Sequence, residues 1–281
     1  MSDAAPETPR LPAGARLGNY TITRCIGEGG MGVVYEGVHE GLAKRVAIKT
    51  LHAPSARSAE LTTRFVREGK AAAKVRHANV VDVFDVAVHE GMPYLVMEYL
   101  EGEDLGAFMS HDAPMNAAAI ADLIVPVVAA LAAAHEAGIV HRDLKPDNIF
   151  LTRGKGGGVD PKLVDFGISK LTDGESLHLT GTHAILGTPY YMSPEQAGSS
   201  KQVDHRSDIF SLGVILYQCA THELPFKGDS LFQLLGEIMH SEPPPVRSLA
   251  ERVPPAFEAV IARAMQKDPA KRFQSAAELG A

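Results

Sequence analysis

One stretch of this chain combines residue types that could act on a charged, oxygen-rich substrate. His141-Arg142-Asp143-Leu144-Lys145-Pro146-Asp147-Asn148 sets an acid and an amide five residues apart on a proline-containing loop. Asp165, followed by Phe166-Gly167, then ends the short apolar run Lys162-Leu163-Val164. Two carboxylates and an amide oxygen converging from loops suit Mg²⁺, which prefers oxygen ligands and keeps several waters. Taken singly, Asp147-Asn148 is an ordinary turn and Asp165 an ordinary strand end. Their joint order is not what chance supplies.

Two earlier segments could serve phosphates. Gly27-Glu28-Gly29-Gly30-Met31-Gly32 is a G-x-G-x-x-G run. In a dinucleotide-binding fold it would open a helix, but here Val33-Val34-Tyr35 follow, which are strand formers. The glycines therefore belong at a hairpin tip, where missing side chains let backbone N–H groups approach a ligand. No G-x-x-x-x-G-K-[ST] loop occurs. Val46-Ala47-Ile48-Lys49 ends an apolar strand in a lysine, 17 residues beyond Gly32. Most such lysines are snorkelling edge residues, but a strand beside the glycine hairpin would carry this one to the phosphates. Glu68, on the next helix, is available to hold it.

The elements that position these groups fall into two textures. From Tyr20 to about Leu100, Tyr20-Thr21-Ile22-Thr23, Gly32 to Val38, Arg45 to Lys49 and Pro93 to Glu98 read as strands. One helix interrupts them at about Leu61–Val75, with Phe65, Ala72 and Val75 at helical spacing. After Gly102 the chain turns helical, with helices at about 117–134, 207–220, 230–240 and 255–266 and a loop-rich stretch over 138–200. A small β lobe joined to a larger helical lobe follows. The Pro- and Ala-rich residues 1–18 read as a disordered leader without signal-peptide shape.

Composition narrows the classes. The chain has 281 residues with 45% apolar and 22% charged side chains, an ordinary globular balance. Residues 1–100 carry 12 basic and 11 acidic side chains, whereas 101–281 carry 15 and 23. No cluster of Lys and Arg displaces counterions from a phosphate backbone, so no nucleic-acid partner is expected. Cys25 and Cys219 form no framework and read as reduced, buried apolar residues. Ala117 to Ala134 has the length of a membrane span. Its alanine content, Asp122 and Pro126 favour a core helix apolar all round, so no membrane segment is expected and the chain is placed in the cytoplasm, with an anchor beyond residue 281 left open.

At these residues the sequence resembles the protein kinase family, and specifically bacterial members of the eukaryotic-type (Hanks-type) Ser/Thr branch. The Gly-rich loop, Val-Ala-Ile-Lys, helix glutamate, His-Arg-Asp loop, Asp165-Phe166-Gly167 and Ser193-Pro194-Glu195 occur in family order. The resemblance runs from Asn19 to the C-terminus. It implies an α+β, bilobal kinase-like fold: a small antiparallel β lobe with one helix over about 19–97, a hinge over 98–102, and a larger, mainly helical lobe over 103–281.

The resemblance also implies roles, ligands and partners. ATP with Mg²⁺ (Mn²⁺ as the alternative ion) is the phosphoryl donor and protein hydroxyls are the acceptors. Backbone amides of Gly27, Gly29 and Gly32 cover the phosphates, Ile26 is a further nucleotide-binding residue, Lys49 binds the phosphates and Glu68 pairs with Lys49. Asp165 and Asn148 hold metal, Asp143 orients the attacking hydroxyl, and Lys145 stabilises the transferring group. Val34, Ala47 and Phe150 enclose adenine beside the gatekeeper Met97, and the backbone of Glu98 and Leu100 bonds its edge. Asp104 is a ribose contact or an exposed loop acid. Thr180 and Thr182 are autophosphorylation sites, met by Arg142, with a transient homodimer as the route to modification in trans. Glu195 pairs with Arg272 as a buried ion pair, and Asp208 holds the catalytic-loop backbone. Gly69 inside a helix and Phe210, where many relatives carry Trp, are departures. A nucleotide-binding scaffold without transfer is the alternative, disfavoured because Lys49, Asp143, Asn148 and Asp165 are all present. A small-molecule kinase is disfavoured by Ser193-Pro194-Glu195 and the long threonine-bearing loop.

Overall fold

The computed structural model describes residues 10–29, 32–111, 114–154, 157–166, 189–198 and 203–281. Gly30, Met31, Gly167, Thr180, Thr182 and Thr188 lie outside them. The chain divides into two compact units. One holds the described residues up to Lys74 together with Val81–Leu100; the other holds Val75–Val80 and Glu101–Ala281. The short return of Val75–Val80 to the second unit is not foreseen by the sequence.

The first unit is an antiparallel sheet with strands β1 (Arg16–Leu17), β2 (Tyr20–Glu28), β3 (Gly32–His39), β4 (Lys44–Leu51), β5 (Val83–His89) and β6 (Met92–Glu98), in the order β1-β2-β3-β4-β6-β5. Alternation sends successive side chains to opposite faces. One face carries the core cluster of Leu17, Tyr20, Ile22, Val33, Tyr35, Val46, Ile48, Tyr94 and Val96. The strand β5 is missing from the sequence reading because its mixed residues, with Asp85 and His89 among valines, leave it only half-buried at the sheet edge.

The N-terminal expectation needs correction. Disorder was expected over 1–18, yet residues 10–18 are built into the fold. Arg16–Leu17 pairs with β2, and Leu11 and Ala15 pack on the core cluster. The Leu11 amide donates to Tyr35 Oη at 3.0 Å. Burying Leu17 to 3% exposure outweighs the disorder-prone composition around it. Cys25, expected buried, is only partly so, whereas Cys219 is buried.

Between β4 and β5 run the one-turn helix α1 (Ala53–Ala56) and the long helix α2 (Ala59–Ala72). Ser58 caps α2 by accepting from the Leu61 amide. Phe65, Gly69 and Ala72 form its buried face. The mid-helix glycine now has a reason: a Cβ on Gly69 would lie 2.8 Å from Leu95 Cδ1 and 3.1 Å from both Val86 methyls. The helix spends about 1 kcal/mol of propensity to approach the sheet this closely.

The second unit is built around helices. They are α3 (Leu105–His111), α4 (Ala117–Glu136), α5 (Pro194–Ala197), α6 (Arg206–Thr221), α7 (Leu231–His240), α8 (Val246–Leu249), α9 (Pro255–Ala264) and α10 (Ala276–Gly280). A small sheet β7 (Gly102–Asp104), β8 (Ile149–Arg153), β9 (Val159–Leu163) accompanies them. Among the described residues α4 alone has the length and hydropathy to cross a bilayer. Its burial is one-sided rather than all round: Ile120, Leu123, Ile124, Val127, Val128, Ala130, Leu131 and Ala134 are buried, while Asp122, Val125 and Ala129 are exposed. Small alanines make that outer face inexpensive to leave in water. The helix α6 is the opposite case, buried over nearly its whole length.

The expected Glu195–Arg272 pair is present. Arg272, 1% exposed, donates to Glu195 Oε1 at 2.7 Å and Oε2 at 2.8 Å, a fork matching a carboxylate. Its remaining donors reach the carbonyls of Gln266, Arg206 and Lys267. Phe210, itself fully buried, lies beneath the guanidinium at 5.0 Å and stacks on Phe226. Burial alone would raise the Glu195 carboxyl; the hydrogen bonds from Arg272 and Ser207 outweigh it and hold it below the usual carboxylate range.

Three substitutions test this packing and its buried ion pair. Gly69→Ala should lower stability by about 1–3 kcal/mol in urea unfolding, because the forced methyl contact exceeds the propensity gain. Arg272→Ala leaves Glu195 buried and unpaired and should cost roughly 3–5 kcal/mol. Since the folded carboxyl titrates below its unfolded value, the stability that Glu195 contributes is present above the ordinary carboxylate range and is lost as pH falls. Glu195→Gln should flatten that acid limb of the stability profile, although it is less stable at neutral pH.

Candidate active site

In the second unit the site is organised from beneath by Asp208, on the buried helix α6. Its carboxylate is fully buried and accepts from two successive backbone amides, His141 at 2.8 Å through Oδ2 and Arg142 at 2.7 Å through Oδ1. Arg142 has φ of +64°, a left-handed turn that strains a residue with a side chain; the two accepted amides hold the chain in it. His135 adds a third contact, Nε2 to Asp208 Oδ2 at 2.8 Å. From the other side, Gln196 Nε2 donates to the Arg142 carbonyl at 2.8 Å, and Gln196 is itself fixed by a capping box with Ser193.

The loop beyond this clasp folds on itself. Asn148 Nδ2 donates to the Asp143 carbonyl at 2.7 Å and approaches its carboxylate at 3.4 Å. Lys145 Nζ stands 4.0 Å from Asp143 Oδ2. Both of these charged side chains keep about a quarter or a fifth of their surface, 25% and 21%, so they are sheltered yet reachable. The strand before Asp165 is tied to the same loop. The Val164 amide donates to the Asn148 carbonyl at 3.0 Å, and His141 Nε2 meets the Val164 carbonyl at 3.0 Å. The His141 and Phe166 rings lie 4.9 Å apart. Asp165 itself has φ of +60°. Asp143, Lys145 and Asn148 thus cluster on one loop, and the strand that leads into Asp165 is hydrogen-bonded to that loop.

Two further predicted residues meet on the small sheet, where Asp104 pairs with Phe150 across β7 and β8. Asp104 Oδ1 accepts from the Ala107 amide at 2.8 Å and so caps α3. That gives the acid a structural task, which neither of its sequence readings named.

In the first unit, strand register gathers the other candidates. Gly27 pairs with Val34 and Glu28 with Val33, and the Gly29 amide donates to the Gly32 carbonyl at 2.9 Å. The glycine run is therefore a hairpin tip. A Cβ on Gly32 would fall 1.8 Å from the Thr50 carbonyl oxygen, so no other residue fits there. Ile26 lies in a bulge of β2 and is 39% exposed. Val34 is opposite Lys49, Lys49 opposite Leu95, and Ala47 opposite Met97. These residues share one face of the sheet, the face opposite the core cluster. Leu95 is also where Gly69 packs, so the helix carrying Glu68 lies over the strand neighbour of Lys49. The Glu98 amide and carboxylate are both committed to the backbone of Asp82; Leu100 ends this unit.

Sequence reasoning missed His135, Gln196 and Asn79. Asn79 Nδ2 donates to the Pro161 carbonyl, and the Asn79 carbonyl accepts from Leu163. Each acts through backbone groups distant in sequence, and nothing in its own neighbourhood marks it. Thr180 and Thr182 lie outside the described residues.

Comparison with known proteins agrees with this architecture. The protein kinase domain family matches residues 20–279. Serine/threonine-protein kinase Pkn1 of Myxococcus xanthus is 44% identical over 266 residues, which cover 94% of this chain and 38% of that protein. PksC of Streptomyces coelicolor is 41% identical, covering 92% of this chain and 47% of its own. The chain thus spans half or less of the length of these relatives. The crystal structure of the Mycobacterium tuberculosis PknI kinase domain superposes with a TM-score of 0.76 at 27% identity, covering 96% of this chain and 97% of that one. With its antiparallel β unit, its helical unit and a family match over nearly its whole length, this chain belongs to the protein kinase domain family.

Proposed function

We propose that the chain transfers the γ-phosphoryl group of ATP to serine and threonine hydroxyls of protein substrates. One observation carries this reading: Asp208 fixes the His141-Arg142 backbone, and the loop that bears Asp143, Lys145 and Asn148 is bonded to the strand that leads into Asp165. The relatives Pkn1 and PksC are serine/threonine-protein kinases, which supports serine/threonine specificity.

The donor set fits a hard divalent ion. Asn148 spends its amide nitrogen on the Asp143 carbonyl, which leaves its side-chain oxygen to serve as a metal acceptor together with the Asp165 carboxylate. Among the described residues no group of three or more His, Cys, Asp or Glu converges on a metal. Two protein oxygens suit Mg²⁺, or Mn²⁺ in its place, because the remaining positions fall to water and phosphate. Such an ion supplies charge neutralisation to the phosphates.

The chain's own residues do the rest. Backbone amides of Gly27, Gly29 and Gly32 cover the phosphates, Ile26 adds a nucleotide contact, and Lys49, held by Glu68, contacts the phosphates. Val34, Ala47 and Phe150 enclose the adenine next to Met97. With the Glu98 amide already used, its carbonyl serves the adenine edge together with the Leu100 backbone; the segment 98–102 acts as the hinge. Asp143 accepts a hydrogen bond from the substrate hydroxyl and takes its proton as the new oxygen–phosphorus bond forms. The γ-phosphorus separates from the β–γ bridging oxygen and ADP leaves. Lys145 stabilises the charge on the moving phosphoryl group. Because the transition state is loose, positioning and electrostatics outweigh base strength.

Phosphorylation at Thr180 and Thr182, in trans within a transient dimer, switches the enzyme on. A phosphate adds roughly −1.5 to −2 charge and three acceptors, and Arg142 is the cation beside Asp143 that answers it. Mass spectrometry of active protein should find at least one of the two modified; both unmodified would remove the switch.

With Mg²⁺ and labelled ATP, Asp143→Asn should lose about 100-fold or more of the transfer to a basic protein substrate while nucleotide still binds by calorimetry. Wild-type protein that binds ATP without transfer would overturn the proposal in favour of a scaffold.

A further inference from the structure

The sheet face that carries Val34, Ala47 and Met97 continues into a polar cluster with no task assigned above. Strand register places Arg24 opposite Glu36, Glu36 opposite Ala47, and Ala47 opposite Met97. These four residues form one row across β2, β3, β4 and β6, and cross-strand partners project to the same face. Ala47 and Met97, at one end of the row, are assigned to the adenine site. The other end is an acid and a guanidinium. A carboxylate on a strand ordinarily stands in water, yet Glu36 is only 8% exposed.

Two arginines satisfy that acid, each on its own oxygen. Arg24 reaches Oε2 with Nε and Nη2, both at 2.8 Å, and Arg45 Nε donates to Oε1 at 3.0 Å. Both guanidiniums are half-exposed, so as ion pairs alone they would add little. What sets them apart is that both go on to the same third residue. Arg24 Nη2 donates to Tyr99 Oη at 3.2 Å, and the Arg45 guanidinium lies 4.1 Å over the Tyr99 ring. A cation over its face and a donor to its hydroxyl fix a ring in two directions. Tyr99 stands between Glu98 and Leu100, whose backbone is assigned to the adenine edge. The residue before it is held as well, because the Glu98 amide and carboxylate are bonded to the backbone of Asp82.

Resting on the ATP reading above, we propose that Glu36 is a positioning residue for the nucleotide. It acts through Arg24 and Arg45, which hold Tyr99, and through Tyr99 it sets where the Glu98 carbonyl and the Leu100 backbone meet the adenine edge. A brace confined to the strands would need these arginines to reach only Glu36, since that acid already joins β2, β3 and β4. The contacts to Tyr99 extend the brace to a residue beyond the end of β6 at Glu98. None of the four side chains is assigned to the γ-phosphate or the substrate hydroxyl. Glu36 therefore governs how tightly ATP is held and leaves the transfer step as it is.

The test combines ATP calorimetry with steady-state transfer, using the 281-residue chain. Glu36→Ala should bind ATP about three- to tenfold more weakly, the worth of one hydrogen bond. Its KM for ATP should rise by a similar factor, with kcat changed by less than about twofold. Tyr99→Ala should match it, and the two combined should bind no more weakly than either alone, because both remove one linkage. Arg45→Ala, which leaves Glu36 paired with Arg24, should weaken ATP by a smaller factor with the melting temperature close to wild type. Unchanged ATP affinity in Glu36→Ala or Arg45→Ala, effects that multiply in the double variant, or a fall in kcat with KM unchanged would each overturn the proposal. Wild-type protein that binds no ATP would instead overturn the transfer reading together with this role, which distinguishes the two failures.

Discussion

The carboxylate of Asp208 is the contact on which the rest of the helical unit's chemistry depends. A fully buried acid would be costly without compensation, and here three donors supply it: two successive amides and a histidine ring. The same bonds that satisfy the acid also hold Arg142 in its left-handed turn, and that turn sends the chain into Asp143. Burial of α6 makes the anchor rigid, because nearly every residue of that helix is packed. The strained loop is stable only because its support cannot move.

Around that anchor the remaining groups are placed by backbone bonds more than by side-chain pairing. Val164 is tied to Asn148 and His141 to Val164, so the two acid-bearing segments cannot shift independently. The Glu195–Arg272 pair and the capping box at Ser193 fix the neighbouring segment in the same way. In the β unit, placement comes from register. One pairing sets Lys49 opposite Val34 and Leu95, and a one-residue slip would turn it to the other face. Gly69 then lets α2 lie close enough to the sheet to carry Glu68 to that strand neighbourhood.

Much of this was legible in the sequence, for physical reasons that differ by element. Glycines followed directly by strand formers indicated a hairpin tip, and the apolar run ending in Lys49 indicated its neighbour. The helices α6, α7 and α9 were legible as helical stretches within a few residues of their observed ends. Glu195, Arg272 and Asp208 came from resemblance rather than spacing, since partners 77 and 66 residues apart leave no local trace. The N-terminal segment was misread because Leu11 and Leu17 gain their burial only from a sheet face assembled later in the chain. His135 and Gln196 stayed hidden for the same reason: a histidine near a helix end and a glutamine after a proline are ordinary until α4, α5 and α6 are packed. The burial of α4 on one face only was hidden by alanine, whose pattern does not say which side meets water.

The most direct test of this account is the turnover of Asp208→Asn, measured with ATP and a peptide substrate alongside its thermal unfolding. An asparagine can accept from one amide but presents its own N–H groups to the other, so the loop loses its clasp while the helix keeps its shape. The account predicts a kcat lower by about 100-fold, the cost of displacing reacting groups by about an ångström, in protein that still unfolds cooperatively and still binds ATP. A folded variant with wild-type kcat would contradict it.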